Sequence, residues 1–275
     1  MRSVLLGTTL FGITGAIIGC FTFMQRQSLL GDVISHATLP GIVGALLLFQ
    51  SKNPFILLFG GLCSALCGIF CMHRITTMTT LKKDTALGLV LSVFFGIGLM
   101  LLSQLQQHSE VPQGLIIKYI FGNASTIIHT DLYVISAVHV FVCTILFLFR
   151  KEFSLLLFDA TQAYCLGYPV NVLQMLLTLL TVLCIISGLQ PVGTVLMSSF
   201  LIAPAAAARQ WTRNFSSMIM LAACFGGCAA LCGTVISARF AHLPTGPVIV
   251  VFSSLIVAVS LIKHHIPLLK RTTHR

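Results

Sequence analysis

Asp32 and His36 are the residues of this sequence whose types and spacing best suit a chemical task. They stand four apart, so on a helix they share one face, one turn from each other. A carboxylate oxygen with an imidazole nitrogen suits zinc, manganese or ferrous iron, and not an alkali ion. A carboxylate near a helix start also accepts backbone amides, so Asp32 could equally be an N-terminal cap. Spacing alone leaves both readings open. One chain offers two such ligands, whereas a zinc site takes about four. A two-fold pair would bring two Asp and two His together, which points to a path between two copies.

Other residues bear on such a path. Pro40-Gly41 follows His36 within about one turn, and Pro204 interrupts Ala203 to Ala208. Each is expected to break its helix, as happens at membrane depth where backbone lines a cavity. Cys63, Cys67, Cys71 and Cys224, Cys228, Cys232 repeat every four residues. They could form thiolate ladders. Nearby Gly60, Gly61, Gly68 and Gly226, Gly227, Gly233 favour close helix packing instead. His73, His108, His129, His139, His242, His264 and His265 have no partner at metal-site spacing and read as interfacial or tail residues.

The elements that position these side chains follow from composition. The chain has 275 residues, 57% hydrophobic and only 8% charged. Its mean hydropathy is +1.01. So few charges cannot clothe a water-soluble domain, which carries about 25%. The chain is expected to be an all-α, polytopic membrane protein. Nine apolar runs approach the roughly 20 residues a membrane helix needs: 4–24, 29–50, 54–72, 86–105, 131–149, 172–190, 191–208, 216–238 and 246–263. The split at Gln190-Pro191 leaves the count at eight or nine. The runs are continuous, not alternating, so helices are expected over barrel strands.

Net charge is +10, with the basic residues between apolar spans. That pattern sets membrane orientation and does not mark a nucleic-acid binder. Twelve of the sixteen Lys and Arg fall after odd-numbered spans, among them Arg26, Arg74, Arg150, Arg209 and Lys263. Positive-inside then places the C-terminus, with a basic tail at about 264–275, in the cytosol. Two longer loops remain, 106–130 outside and 150–171 inside. Neither could hold a domain, so residues 1–275 read as one transmembrane domain. Of six acidic residues, five lie in loops or at span ends, so the buried carboxylate chain of an ion-coupled pump is missing. No P-loop, H-E-x-x-H or G-x-S-x-G occurs. Enzymatic activity is therefore not expected, and energy for uphill transport would enter from another subunit.

Several motifs in register carry a family resemblance. Gly31-Asp32-Val33-Ile34-Ser35-His36-Ala37-Thr38-Leu39-Pro40-Gly41 resembles the G-D-x-x-S-H-A-x-L-P-G signature of the membrane permease in ABC-type zinc/manganese/iron importers. Asp84-Thr85-Ala86-Leu87-Gly88, Phe121-Gly122-Asn123, Val192-Gly193 through Pro204-Ala205-Ala206, and Thr245-Gly246-Pro247 are similar to its later motifs. The likeness covers about residues 5–262. Phe158, Asp159, Ala163 and Gly167 match the family's inner-loop pattern, with Ala160 and Thr161 where Pro and Glu are common. Ala207 stands where Thr is usual.

The resemblance implies the permease bundle of an ATP-driven importer for zinc, manganese or iron. The metal is cargo, with no permanently bound cofactor. Asp32 and His36 would be its metal contacts. Phe158, Asp159, Ala163 and Gly167 would sit on the coupling loop, about 150–171, against the ATPase. The implied partners are cytosolic ATPase subunits, an extracytoplasmic metal-binding protein, and a second permease chain, identical or paralogous. The implied location is the bacterial cytoplasmic (inner) membrane. A self-sufficient secondary carrier or channel for divalent metals is the alternative, and ATP dependence separates the two.

Overall fold

Backbone polar groups in lipid must be satisfied within the segment that carries them, which leaves helices for long apolar runs. The computed structural model describes residues 2–27, 29–50, 54–108, 129–240 and 245–272, and every regular element among them is a helix. These are α1 (Arg2–Met24), α2 (Leu30–Phe49), α3 (Pro54–Met78), α4 (Lys83–His108), α5 (His129–Leu148) and α6 (Arg150–Phe158). There follow α7 (Ala160–Cys165), α8 (Val170–Val192), α9 (Thr194–Trp211), α10 (Phe215–Arg239) and α11 (Thr245–Thr272). Among the described residues, seven helices are long and apolar enough to cross a membrane, and the pair α5 and α6, bent by 67° at their junction, brings the number to eight if it is counted as one span. The outer-loop motif at Phe121–Asn123 lies outside the described residues.

The expected division at Gln190-Pro191 falls slightly later. Pro191 lies within the last turn of α8, and the chain turns at Gly193 (φ +85°, ψ 165°), a conformation open to glycine and strained for other residues. The expected breaks at Pro40-Gly41 and Pro204 are corrected: α2 and α10's neighbour α9 run through their prolines without interruption. Pro40 still has no N–H to give the His36 carbonyl one turn back. Packing of α2 on α3, α4, α8 and α9 holds it helical despite that lost bond.

Two crossings organise the bundle, and they are built alike. A Cβ placed on Gly12 of α1 would lie 3.0 Å from the Ala230 Cβ of α10, and one on Gly226 would lie 2.9 Å from the Ala16 Cβ. Likewise a Cβ on Gly41 of α2 would lie 2.5 Å from the Ser64 Cβ of α3, and one on Gly60 would lie 2.8 Å from the Ala45 Cβ. Gly227 meets Ile13, and Gly61 meets Ile42, each at 3.2 Å. Both pairs are antiparallel. The residues match as well: Gly12-Ile13-Thr14-Gly15-Ala16 against Gly41-Ile42-Val43-Gly44-Ala45, and Phe225-Gly226-Gly227 against Phe59-Gly60-Gly61. Glycines at such crossings let backbones approach and gain dispersion contacts.

The cysteine stripes are not part of these seams. Cys63, Cys67, Cys224, Cys228 and Cys232 are exposed on the outer faces of α3 and α10, and Cys71 is partly buried. The two crossings are built from glycine, alanine and serine, and of the stripe cysteines Cys71 alone packs against the core.

One end of the bundle is closed by aromatic rings. Phe21 of α1 meets Phe153 of α6 and Phe215 of α10 edge to face, at 6.0 and 5.1 Å. Gln25 donates to Gln174 of α8 at 3.3 Å. Trp211 of α9 donates to Ser260 of α11 at 3.0 Å, and the Lys263 ammonium sits 3.3 Å from the Trp211 ring centroid. The helix ends carrying Arg26, Arg150, Lys151, Arg209, Arg213 and Lys263 therefore share one end of the molecule.

Candidate metal centre

Asp32 and His36 lie on α2, which packs chiefly between α3 and α4 and also touches α8 and α9. Small residues bring its neighbours close. Ser64 donates to the Ala37 carbonyl at 2.7 Å, and a Cβ on Gly68 would lie 3.1 Å from the Ala37 Cβ. On another side, a Cβ on Gly31 would stand 3.6 Å from the Ser198 Cα and 3.3 Å from a Leu201 methyl of α9. Leu39 packs against Gly98 of α4.

Asp32 is partly buried and is the third residue of α2. The cap position belongs to Leu29, which makes no side-chain cap bond. The helix dipole still favours a carboxylate in that first turn. His36 is also partly buried, and its ring lies edge-on to Phe95 of α4 at 4.8 Å. Its Nδ1 is fully buried and has no hydrogen-bond partner. Leaving a buried polar atom unpaired costs about 1–3 kcal/mol. A ligand that binds nitrogen would remove that cost.

Among the described residues, no three His, Cys, Asp or Glu side chains gather as a metal site.

His139 differs from the interfacial place expected of it. It is buried on α5, with Nδ1 2.9 Å from the Ile135 carbonyl and Nε2 3.8 Å from the Cys184 sulfur of α8. Phe11 meets its ring edge to face at 4.4 Å. With its Nδ1–H donating to the Ile135 carbonyl, the ring keeps Nε2 to accept from the Cys184 thiol. This is a satisfied interhelical bond. Forty-five residues separate the partners, so spacing gave no sign of it.

In the inner segment, Asp159 caps α7 by accepting from the Gln162 amide at 2.8 Å. Ala163 is fully buried, and Gly167 (φ +82°) turns the chain toward α8. Phe158 is 62% exposed, and its ring touches Phe215 at 5.8 Å. Tyr164 and Leu166, which the motif did not point to, are also exposed. The residues at 158, 159, 163 and 167 thus form one helical corner. It lies at the aromatic end of the bundle, whereas Asp32 and His36 lie within it.

A family model described as ABC 3 transport family matches residues 1–264. The zinc transport system membrane protein TroC of Treponema pallidum is 41% identical over 261 residues, spanning 95% of this chain and 88% of TroC. The manganese transport system membrane protein MntC of Bacillus subtilis is 38% identical over 260 residues. That match spans 94% of this chain and 60% of the longer MntC. The solved structure of PsaBC from Streptococcus pneumoniae in complex with Fab superposes with a TM-score of 0.82 at 28% identity, covering 94% of this chain and 90% of that one. With a family model over nearly its whole length, and with relatives this similar, the chain belongs to the ABC 3 transport family.

Proposed function

We propose that this chain is the permease of an ATP-driven importer for a divalent transition metal: zinc, manganese or iron. The observation that carries this reading is the buried, unpartnered Nδ1 of His36, one turn from Asp32 on a helix enclosed by the bundle. Relatives named for zinc and manganese transport support the class of cargo. Asp32 supplies a carboxylate oxygen and His36 an imidazole nitrogen to the passing ion. A second permease chain, identical or paralogous, completes the ligand set. The chain is a transport component without catalysis of its own. ATP hydrolysis belongs to cytosolic subunits, and an extracytoplasmic protein delivers the metal. The membrane is the bacterial cytoplasmic one. Positive-inside places the aromatic, basic end of the bundle and the C-terminus in the cytosol.

Pairing is tested by the composition of the working complex. Native mass spectrometry of the transport-competent assembly is expected to find two permease chains. A complex that transports with a single permease chain would contradict the shared site.

Coupling is assigned to the corner at Phe158. Its exposed ring, with Tyr164 and Leu166, offers an apolar anchor to the ATPase, and such anchors commonly carry about 2 kcal/mol or more of a binding energy. Phe158→Ala is expected to weaken ATPase recovery in a pull-down by about 30-fold, as that energy implies. Metal binding by the assembled permease should be unchanged. Equal recovery with unchanged uptake would leave α6 and α7 as helices lying on lipid headgroups.

A further inference from the structure

The helices around the corner at 158–167 hold the last turn of α1 at two places that docking of the ATPase does not use. Phe21 is buried and receives two rings edge to face: Phe153 of α6 at 6.0 Å and Phe215 of α10 at 5.1 Å. Phe215 in turn meets the exposed Phe158 at 5.8 Å. One ring therefore separates Phe158 from α1, and α6 also reaches Phe21 directly through Phe153. Gln25 lies one turn after Phe21 on the same face of α1. It exchanges amide hydrogen bonds in both directions with Gln174 of α8, at 3.3 and 3.4 Å. The helix that enters the corner and the helix that leaves it thus both hold α1.

Beyond that turn, hydrogen bonds tie the end of α1 to the start of α2. The Gln27 amide donates to the Thr22 carbonyl at 3.1 Å and the Arg26 amide to the Phe23 carbonyl at 3.0 Å, with Arg26 on the left-handed side (φ +57°). This pattern is a Schellman end. Gln27 is buried, and its carbonyl accepts from the amide of Leu30, the first residue of α2, at 3.1 Å. Asp32 follows in the same turn of α2, and His36 one turn later. Packed interiors have low compressibility, so displacement of one packed group is passed to its neighbours and not absorbed.

We propose that the last turn of α1, held at Phe21 and Gln25, passes movement of the corner to the Asp32–His36 pair. Phe21 and Gln25 are then positioning residues for transport. This rests on the corner at Phe158 being the ATPase contact. Phe21 is buried, so it acts through its neighbours and not at the ATPase surface.

The test is the metal imported per ATP hydrolysed by the complete transporter in proteoliposomes, with free zinc or manganese offered alongside the binding protein. Phe21→Leu keeps much of the apolar volume and removes the ring, and Gln25→Ala removes the amide tie. Each is expected to lower metal per ATP by about 2- to 30-fold, the range by which changes along such networks alter coupling. ATPase recovery in a pull-down and hydrolysis per complex should stay near wild type. Phe225→Leu is the control, the same exchange at a ring of α10 that meets Trp211 away from this route, and should hold the wild-type ratio. A merely structural Phe21 would reduce the yield of complex and leave metal per ATP in the surviving complex untouched. An unchanged ratio in Phe21→Leu and Gln25→Ala, with Phe158→Ala poor at recovering the ATPase, overturns the route through α1 and leaves the docking corner standing. An equal fall in Phe225→Leu also overturns it. Wild-type recovery and uptake in Phe158→Ala removes the corner itself, and the route with it. If Phe21→Leu does not assemble, Gln25→Ala decides by the same ratio.

Discussion

Asp32→Ala or His36→Ala is expected to abolish metal uptake while the protein still inserts and assembles. Each removes half of what one chain offers, and the second copy loses the same ligand if the pair is identical. Loss of a residue that only orients a metal ligand costs 10- to 100-fold in affinity, so loss of a ligand should cost at least about 100-fold. Fold stability should change little. Asp32 does not cap α2, and His36 has an orphaned Nδ1, so neither truncation breaks a bond at those atoms. Uptake of radioactive metal by cells, normalised to permease in the membrane, checks this. Wild-type uptake by the double variant at matched expression would remove the site.

The second large effect is on assembly. Gly41→Leu and Gly226→Leu would each force a branched side chain into backbone of the facing helix. Overpacking of a core costs about 1–3 kcal/mol, and more where backbone must move. Both variants are expected to lose the folded permease, seen as aggregation in size-exclusion chromatography after detergent extraction. Gly44→Ala and Gly96→Ala are the controls, because a Cβ at either meets nothing within 4 Å. They should be neutral or gain up to about 1 kcal/mol from helix propensity. An assembled Gly41→Leu protein with wild-type thermal stability would show that the α2–α3 crossing is not close-packed.

The two crossings also show how far the sequence could be read. Long apolar runs marked the spans because lipid forces helices on them, and boundaries came within a few residues at α1 and α2. The Asp32–His36 pair was legible for the same reason: four residues on a helix is one turn. The corner at 158–167 followed from its motif, and Asp159 took the cap its residue type favours. Pairings across distant helices had no local signal. Gly12 with Gly226, and His139 with Cys184, are joined only by packing. Proline misled in the other direction. Pro40 and Pro204 break helices by default, but α2 and α9, packed among their neighbours, stay helical through them. The division expected at Gln190-Pro191 came two residues past that proline, at Gly193, whose positive φ makes the turn. The cysteine stripes run beside these glycines, yet all but Cys71 are exposed, which a count of spacings does not resolve.

Transport in proteoliposomes tests the central claim most directly. The permease would be reconstituted with its ATPase, loaded with ATP on the ATPase side, and offered zinc or manganese with the binding protein on the other. Accumulation of metal against its gradient is expected only with hydrolysable ATP, and the permease alone should pass none. Uptake by the permease alone at the rate of the full complex would contradict the account and establish a self-sufficient carrier or channel.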